Sequence, residues 1–140
     1  MKLERFLILL LFILLSGVPA YHKLVGQFPP DWFVKKFEPT FFGSIPYGLT
    51  MAFGIIMLLE VIIPIIFMIA LIKKEWQNKG AFKFSHLGLQ LSLILFLILF
   101  FGSFLVQDYN NGFIDFMYFV GTLFTLRFYF FAEKQKNRLQ

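Results

Sequence analysis

The sequence predicts an all-α membrane domain: a four-transmembrane-helix bundle with a short amphipathic interfacial helix in the first outer loop. Three observations predict it. The 140 residues are 59% hydrophobic and only 15% charged, where a soluble domain averages about a quarter charged. The apolar residues come in blocks of about the ~20 residues that cross a hydrocarbon core. A chain this short has too little interior to hide so much apolar side chain from water. The length fits one domain, residues 1–140.

The spans are expected at residues 3–21, 47–72, 84–106 and 113–132. Each should be helical, because backbone groups in lipid must bond within their own segment. The first block also has the makings of a cleavable signal: Lys2 and Arg5, an apolar run, then Val18-Pro19-Ala20. Its apolar character continues to Tyr21, so a retained span is expected.

Basic residues set the direction. With four spans, both termini share a side with the loop between spans two and three. That side carries Lys2, Arg5, Lys73, Lys74, Lys79, Lys83, Lys134, Lys136 and Arg138; the other carries Lys23, Lys35 and Lys36. Both termini are therefore expected in the cytoplasm. The net charge of +5 is accounted for by topology and anionic headgroups rather than nucleic acid. The absence of cysteine excludes disulfides, thiolate metal sites and iron–sulfur clusters.

The longest loop, residues 22–46, then faces outward. Pro29 and Pro30 precede Asp31, an expected N-cap, and Pro39 stops the run. Asp31, Lys35 and Glu38 recur at helical spacing, with Phe33, Val34 and Phe37 on another face. The pattern predicts a short helix in the headgroup layer, anchored by Trp32; the competing expectation is an irregular loop.

Glu60 stands near the middle of the second span. A carboxylate there is costly and should face protein or water. Gly48, Ala52, Ile56, Glu60 and Pro64 recur every four residues, a stripe that permits close helix approach. Pro64 should kink the span. Two readings stand side by side: a proton- or ligand-binding carboxylate, and a buried structural hydrogen bonder.

In the fourth span Asp115, Tyr118, Thr122, Thr125 and Tyr129 form a polar stripe, and Arg127 points roughly opposite it. If the stripe faces the bundle, Arg127 snorkels to the headgroups rather than pairing with Glu60. Thr122 and Thr125 are then the expected hydrogen-bond partners of Glu60. Gly88, Ser92 and Ser103 share a face of span three, expected to serve packing. Ser16, Gly17 and Ala20 do the same in span one, beside Pro19. Lys23, at the exit of span one, is expected to meet a lipid headgroup; turning inward to Asp115 or Asp108 is the alternative. His22 and His86, the latter one turn from Gln90, lie toward opposite membrane faces. They cannot share a haem or metal ion. No metal motif, phosphate loop or nucleophile–base spacing is present.

A basic residue before the first helix, Gly17, Lys23-Leu24, the loop with Trp32, then Gly43-Ser44-Ile45-Pro46, Gly54 and Glu60 form a pattern that resembles the DoxX-like family of small four-helix membrane proteins. The resemblance implies a bacterial inner membrane. It also implies a link, in some members, to thiosulfate oxidation coupled to quinone reduction or to redox-stress complexes. It supplies no catalytic residue.

Three functions are expected to compete. The first is a non-catalytic subunit or assembly factor that binds a membrane partner or a second copy through its helices. The second is a redox subunit binding quinone beside Glu60, Tyr118 and Thr122. The third is a small lipid-binding or transporter-like protein.

Overall fold

A computed structural model describes residues 2–77 and 82–137; Lys79 and Arg138 of the basic side lie outside them. Six helices and no strand are present among the described residues: α1 (Lys2–Val25), α2 (Asp31–Phe37), α3 (Phe41–Ser44), α4 (Gly48–Ile72), α5 (Lys83–Leu105) and α6 (Tyr109–Asn137). Four are long and apolar enough to cross a membrane: α1, α4, α5 and the stretch Tyr109–Phe131 of α6. The chain is thus built as a multi-pass membrane protein. The observed helices match the expected spans to within four residues at each end, except that α6 runs on to Asn137.

Local chemistry sets the boundaries. Gly26 and the Pro29–Pro30 pair follow α1, where further helix is disfavoured. The cap position of α2 is Pro30, so Asp31 is the first helical residue and not the expected N-cap. Its carboxylate instead accepts from Gln27 Nε2 at 3.1 Å. Thr40 caps α3, its Oγ1 accepting the Phe42 N–H at 3.3 Å; this single-turn helix has no counterpart among the expected elements. Tyr47 enters α4 in the left-handed region at φ 60, and a Cβ on Gly48 would meet the Phe42 carbonyl oxygen at 2.4 Å. The α3–α4 corner therefore depends on glycine at 48. Pro19 and Pro64 both lie inside continuous helices.

The α5 N-terminus is capped from outside. Glu75, buried, accepts the N–H groups of Phe84 and Ser85 at 2.9 Å each. It also accepts the Ser85 hydroxyl at 2.6 Å. Those N–H groups have no partner within the helix, and a carboxylate at the positive end of the helix dipole satisfies them well.

Packing runs α1 against α4, α4 against α5 and α5 against α6. Below Glu60 lies an apolar layer in which Leu9, Phe12, Ile63, Phe67 and Leu89 are buried and the Phe12 and Phe67 rings stack at 5.1 Å. Nearer the termini Arg5, Glu75 and Ser85 are buried. Gly88 lets the Phe67 ring in; a Cβ there would lie 2.8 Å from Phe67 Cζ. The helix α6 is the loosest element, with 11% of its apolar window buried against 28% in each other span. Most of its surface is left for lipid, including Phe113, Phe124 and Phe131. Toward α2 the interior is hollow, with a few polar groups in mostly apolar walls.

Candidate functional site

Glu60 faces the bundle, as its stripe predicts, and is 4% exposed. Its partner is Lys23, whose Nζ donates to both carboxylate oxygens, at 2.7 Å to Oε1 and 2.6 Å to Oε2. The register of α1 against α4 explains the contact. Gly17 packs on Pro64, where an added Cβ would stand 3.6 Å from the proline Cβ. In an antiparallel pair, four residues up α1 and four back along α4 bring Tyr21 level with Glu60. Lys23 is ~3 Å beyond that level, and its long stem bends back to the carboxylate.

Two expectations are corrected here. Lys23 does not end at a headgroup, and neither Asp115 nor Asp108 is its partner. It lies inside α1, which continues helically to Val25, and so is held against α4. Thr122 and Thr125 do not bond Glu60. They donate to the carbonyls of Tyr118 and Gly121, one turn back in their own helix, at 2.7 and 2.9 Å. The helix α6 packs on α5 rather than on α4, which leaves both hydroxyls to their own backbone. Thr122 is buried and Arg127 exposed, so Arg127 points away from the polar stripe as expected.

Two cavities open around this pair. The larger, a cleft of about 800 Å³, lies at the α2 end between α4, α5 and α6. Its walls are mostly apolar, among them Phe53, Ile56 and Phe101, and its polar groups are Lys23, Lys36, Ser103, Asn111 and Asp115. The smaller, about 170 Å³, sits deeper and takes a polar side chain from every spanning helix: Ser16, Glu60, Ser92, and Asp115 with Tyr118. Leu99 and Asp115 belong to the walls of both. Ser16 and Ser92 donate to the carbonyls one turn back, of Phe12 and Gly88. Of the expected site residues, the structure therefore joins Glu60, Tyr118 and Asp115 in one cavity and adds Lys23 and Trp32 in the cleft. Ser103, expected only to pack, donates to Asp115 Oδ2 at 2.9 Å.

The roof of the cleft is α2. Phe33 is buried, stacks on Phe37 at 4.5 Å and meets Phe53 edge-on at 5.0 Å. Phe37 lies over Gly102. Trp32 lines the mouth and is 57% exposed, fitting an interfacial anchor. The far end is latched by Lys36, whose Nζ stands 2.5 Å from Asp108 Oδ2. Asp108 also accepts from the Asn111 side chain at 2.7 Å. Lys36 first, then Asn111, pull the Asp108 carboxyl down to about 2. The sequence reading missed this latch, since nothing in the spacing of Lys36 and Asp108 links them.

His22 ends α1 and His86 begins α5, at opposite ends of the bundle. No group of three metal-ligating side chains occurs among the described residues. Protein-family models, curated protein sequences and solved structures were each compared with the chain, and none matched.

Proposed function

We propose that this chain binds a flat amphiphile of the quinone class in the cleft beneath α2. The observation that carries the reading is the composition of that cleft. At about 800 Å³ it falls in the range of small-molecule sites, which are mostly apolar with a few convergent polar groups. Here Phe53, Ile56 and Phe101 offer a slot for a ring or isoprenoid tail, and Lys23, Ser103 and Asp115 supply polar groups in its walls. A quinone carbonyl would accept from the Lys23 ammonium; a quinol hydroxyl would donate to the Asp115 carboxylate. A bound quinone supplies two-electron chemistry. The residues of this chain bind it, orient it and hold a charge beside it.

The resemblance to the DoxX-like family agrees with this reading. The resemblance implies a bacterial inner membrane, and the excess of basic residues on the other side of the bundle supports an orientation with both termini in the cytoplasm. The cleft then opens to the outer leaflet, where a lipid-soluble ligand enters sideways.

The test is titration of the purified protein in nanodiscs with a short-chain quinone, read by quenching of Trp32 in a Trp76→Phe background. Saturable quenching is expected. Lys23→Met and Asp115→Asn should each weaken it about tenfold, equivalent to ~1.4 kcal/mol, while Arg127→Ala leaves it unchanged. Non-saturable quenching, or equal affinity in all variants, overturns the proposal.

A second reading has its own support: a non-catalytic subunit or assembly factor that docks a partner helix on α6. The mostly uncovered surface of α6 carries Phe116, Phe124 and Phe131. A stoichiometric partner retained in mild detergent and released by polar substitution at Phe124 would favour it.

A further inference from the structure

We infer that the smaller cavity is a one-sided proton route, joining Glu60 to the α2 face of the bundle and closed toward the termini. The inference is independent of what occupies the cleft.

Polar side chains inside a membrane protein are costly, and where they gather they mark ion and proton paths. In this cavity all four spanning helices contribute one: Ser16, Glu60, Ser92, and Asp115 with Tyr118. Its volume of about 170 Å³ leaves room for several waters at ~30 Å³ each, and the walls supply the partners that such waters need. Asp115 is the link to the surface, because it also lines the open cleft. One of its oxygens is held by Ser103, which fixes it at the junction.

Charge supplies the reason for uptake. The groups facing Glu60 are Lys23 from α1 and, across the cavity, Asp115 and the Tyr118 phenol from α6; α5 contributes only the neutral Ser92. Lys36 of α2 is taken by Asp108. Lys36 and Asp108 also act on Asp115, so two ammoniums, Lys23 and Lys36, stand among three carboxylates, Glu60, Asp108 and Asp115. A hydronium ion reaching Asp115 gives up one O–H bond and leaves as water while the carboxyl O–H forms. The Lys23–Glu60 and Lys36–Asp108 pairs stay intact; onward transfer to Glu60 releases Lys23 from that carboxylate. Toward the termini the path stops. Leu9, Phe12, Ile63, Phe67 and Leu89 are each 5% exposed or less, and the stacked Phe12 and Phe67 rings fill the centre.

The experiment uses the full chain in sealed vesicles, oriented with α2 outward. Infrared difference spectra follow the carboxylic-acid C=O band after a pH step on one side. The band is assigned by its loss in Glu60→Gln, or in Asp115→Asn should the first variant fail to insert. A step on the α2 side should move the band at once. The same step on the terminus side should act at least roughly tenfold more slowly, at the rate of leakage across the vesicle. Phe67→Ser, which opens the apolar layer, should make the two sides equivalent. A wild-type band that follows the terminus side first, follows both sides alike, or survives both carboxylate substitutions overturns the inference.

Discussion

Lys23 closes on both oxygens of Glu60, at 2.7 and 2.6 Å, and so pins the last turn of α1 to the middle of α4. The pair is largely desolvated, with side-chain exposures of 19% for Lys23 and 6% for Glu60. Removing one partner of such a pair strands the other, whereas removing both leaves no unpaired charge. Glu60→Gln and Lys23→Met should therefore be non-additive, with a coupling energy of about 1–3 kcal/mol in favour of the double variant. Thermal unfolding in detergent of the two single variants and the double variant measures it. Simple additivity would mean that the pair is solvated and stabilises little.

The roof over the cleft should respond to acid. The Asp108 carboxyl lies at about 2, below its ordinary 3.8, because the Lys36 ammonium and Asn111 favour the charged form. A group whose folded value is depressed contributes stability above its unfolded value and loses it as pH falls through the folded one. Docking of α2 should thus hold steady from neutral pH to about 4 and loosen as pH falls toward about 2. Trp32 emission in a Trp76→Phe background reports it. Lys36→Met should abolish this acid transition; an unchanged transition would assign it to another group.

Close packing of α4 on α5 rests on Gly88. A Cβ there would stand 2.8 Å from the Phe67 ring, whose position is fixed by stacking on Phe12. Gly88→Ala should cost about 1–3 kcal/mol through overpacking. Gly121 is the control, since a Cβ there meets nothing within 4 Å. Gly121→Ala should be neutral or stabilise by about 0.4–1 kcal/mol. Equal melting temperatures for the two variants would show that Phe67 yields freely.

The spans were legible because hydropathy is a one-dimensional signal, and lipid leaves the backbone few choices. The inward aim of Glu60 was legible from the small residues sharing its stripe, and the outward aim of Arg127 from its rotation away from Asp115 and Thr122. The Lys23–Glu60 contact was not. It depends on the register of two helices, and periodicity fixes rotation but not sliding. The signal was nonetheless present: Gly17 and Pro64 lie on facing stripes, and matching them brings Lys23 within reach. Thr122 and Thr125 lie on the inward stripe of α6, but rotation does not reveal which neighbour that stripe meets, and α6 packs on α5. The Lys36–Asp108 latch joins residues on separate elements, with no spacing to reveal it.

Glu75 escaped the sequence reading for a different reason. It sits in the turn after α4, among Lys73, Lys74 and Trp76, where a lone acid looks like part of a solvated charge cluster. In the structure it is 4% exposed and accepts three hydrogen bonds from the start of α5, two from backbone N–H groups and one from Ser85 Oγ. Hydrogen bonds to a charged group contribute about 1.5–3 kcal/mol, and unpaired buried donors add their own desolvation cost. Glu75→Ala should therefore destabilise the protein by at least about 2 kcal/mol. Ser85→Ala, which removes one donor and leaves the two backbone bonds, should cost less, about 1 kcal/mol. Hydrogen exchange at the Phe84 and Ser85 amides separates a capping role from a general loss of stability. Loss of the cap should speed exchange there more than at Leu95 or Phe96 in the middle of α5. Uniform acceleration along the helix would instead place the Glu75 contribution in the docking of the whole turn.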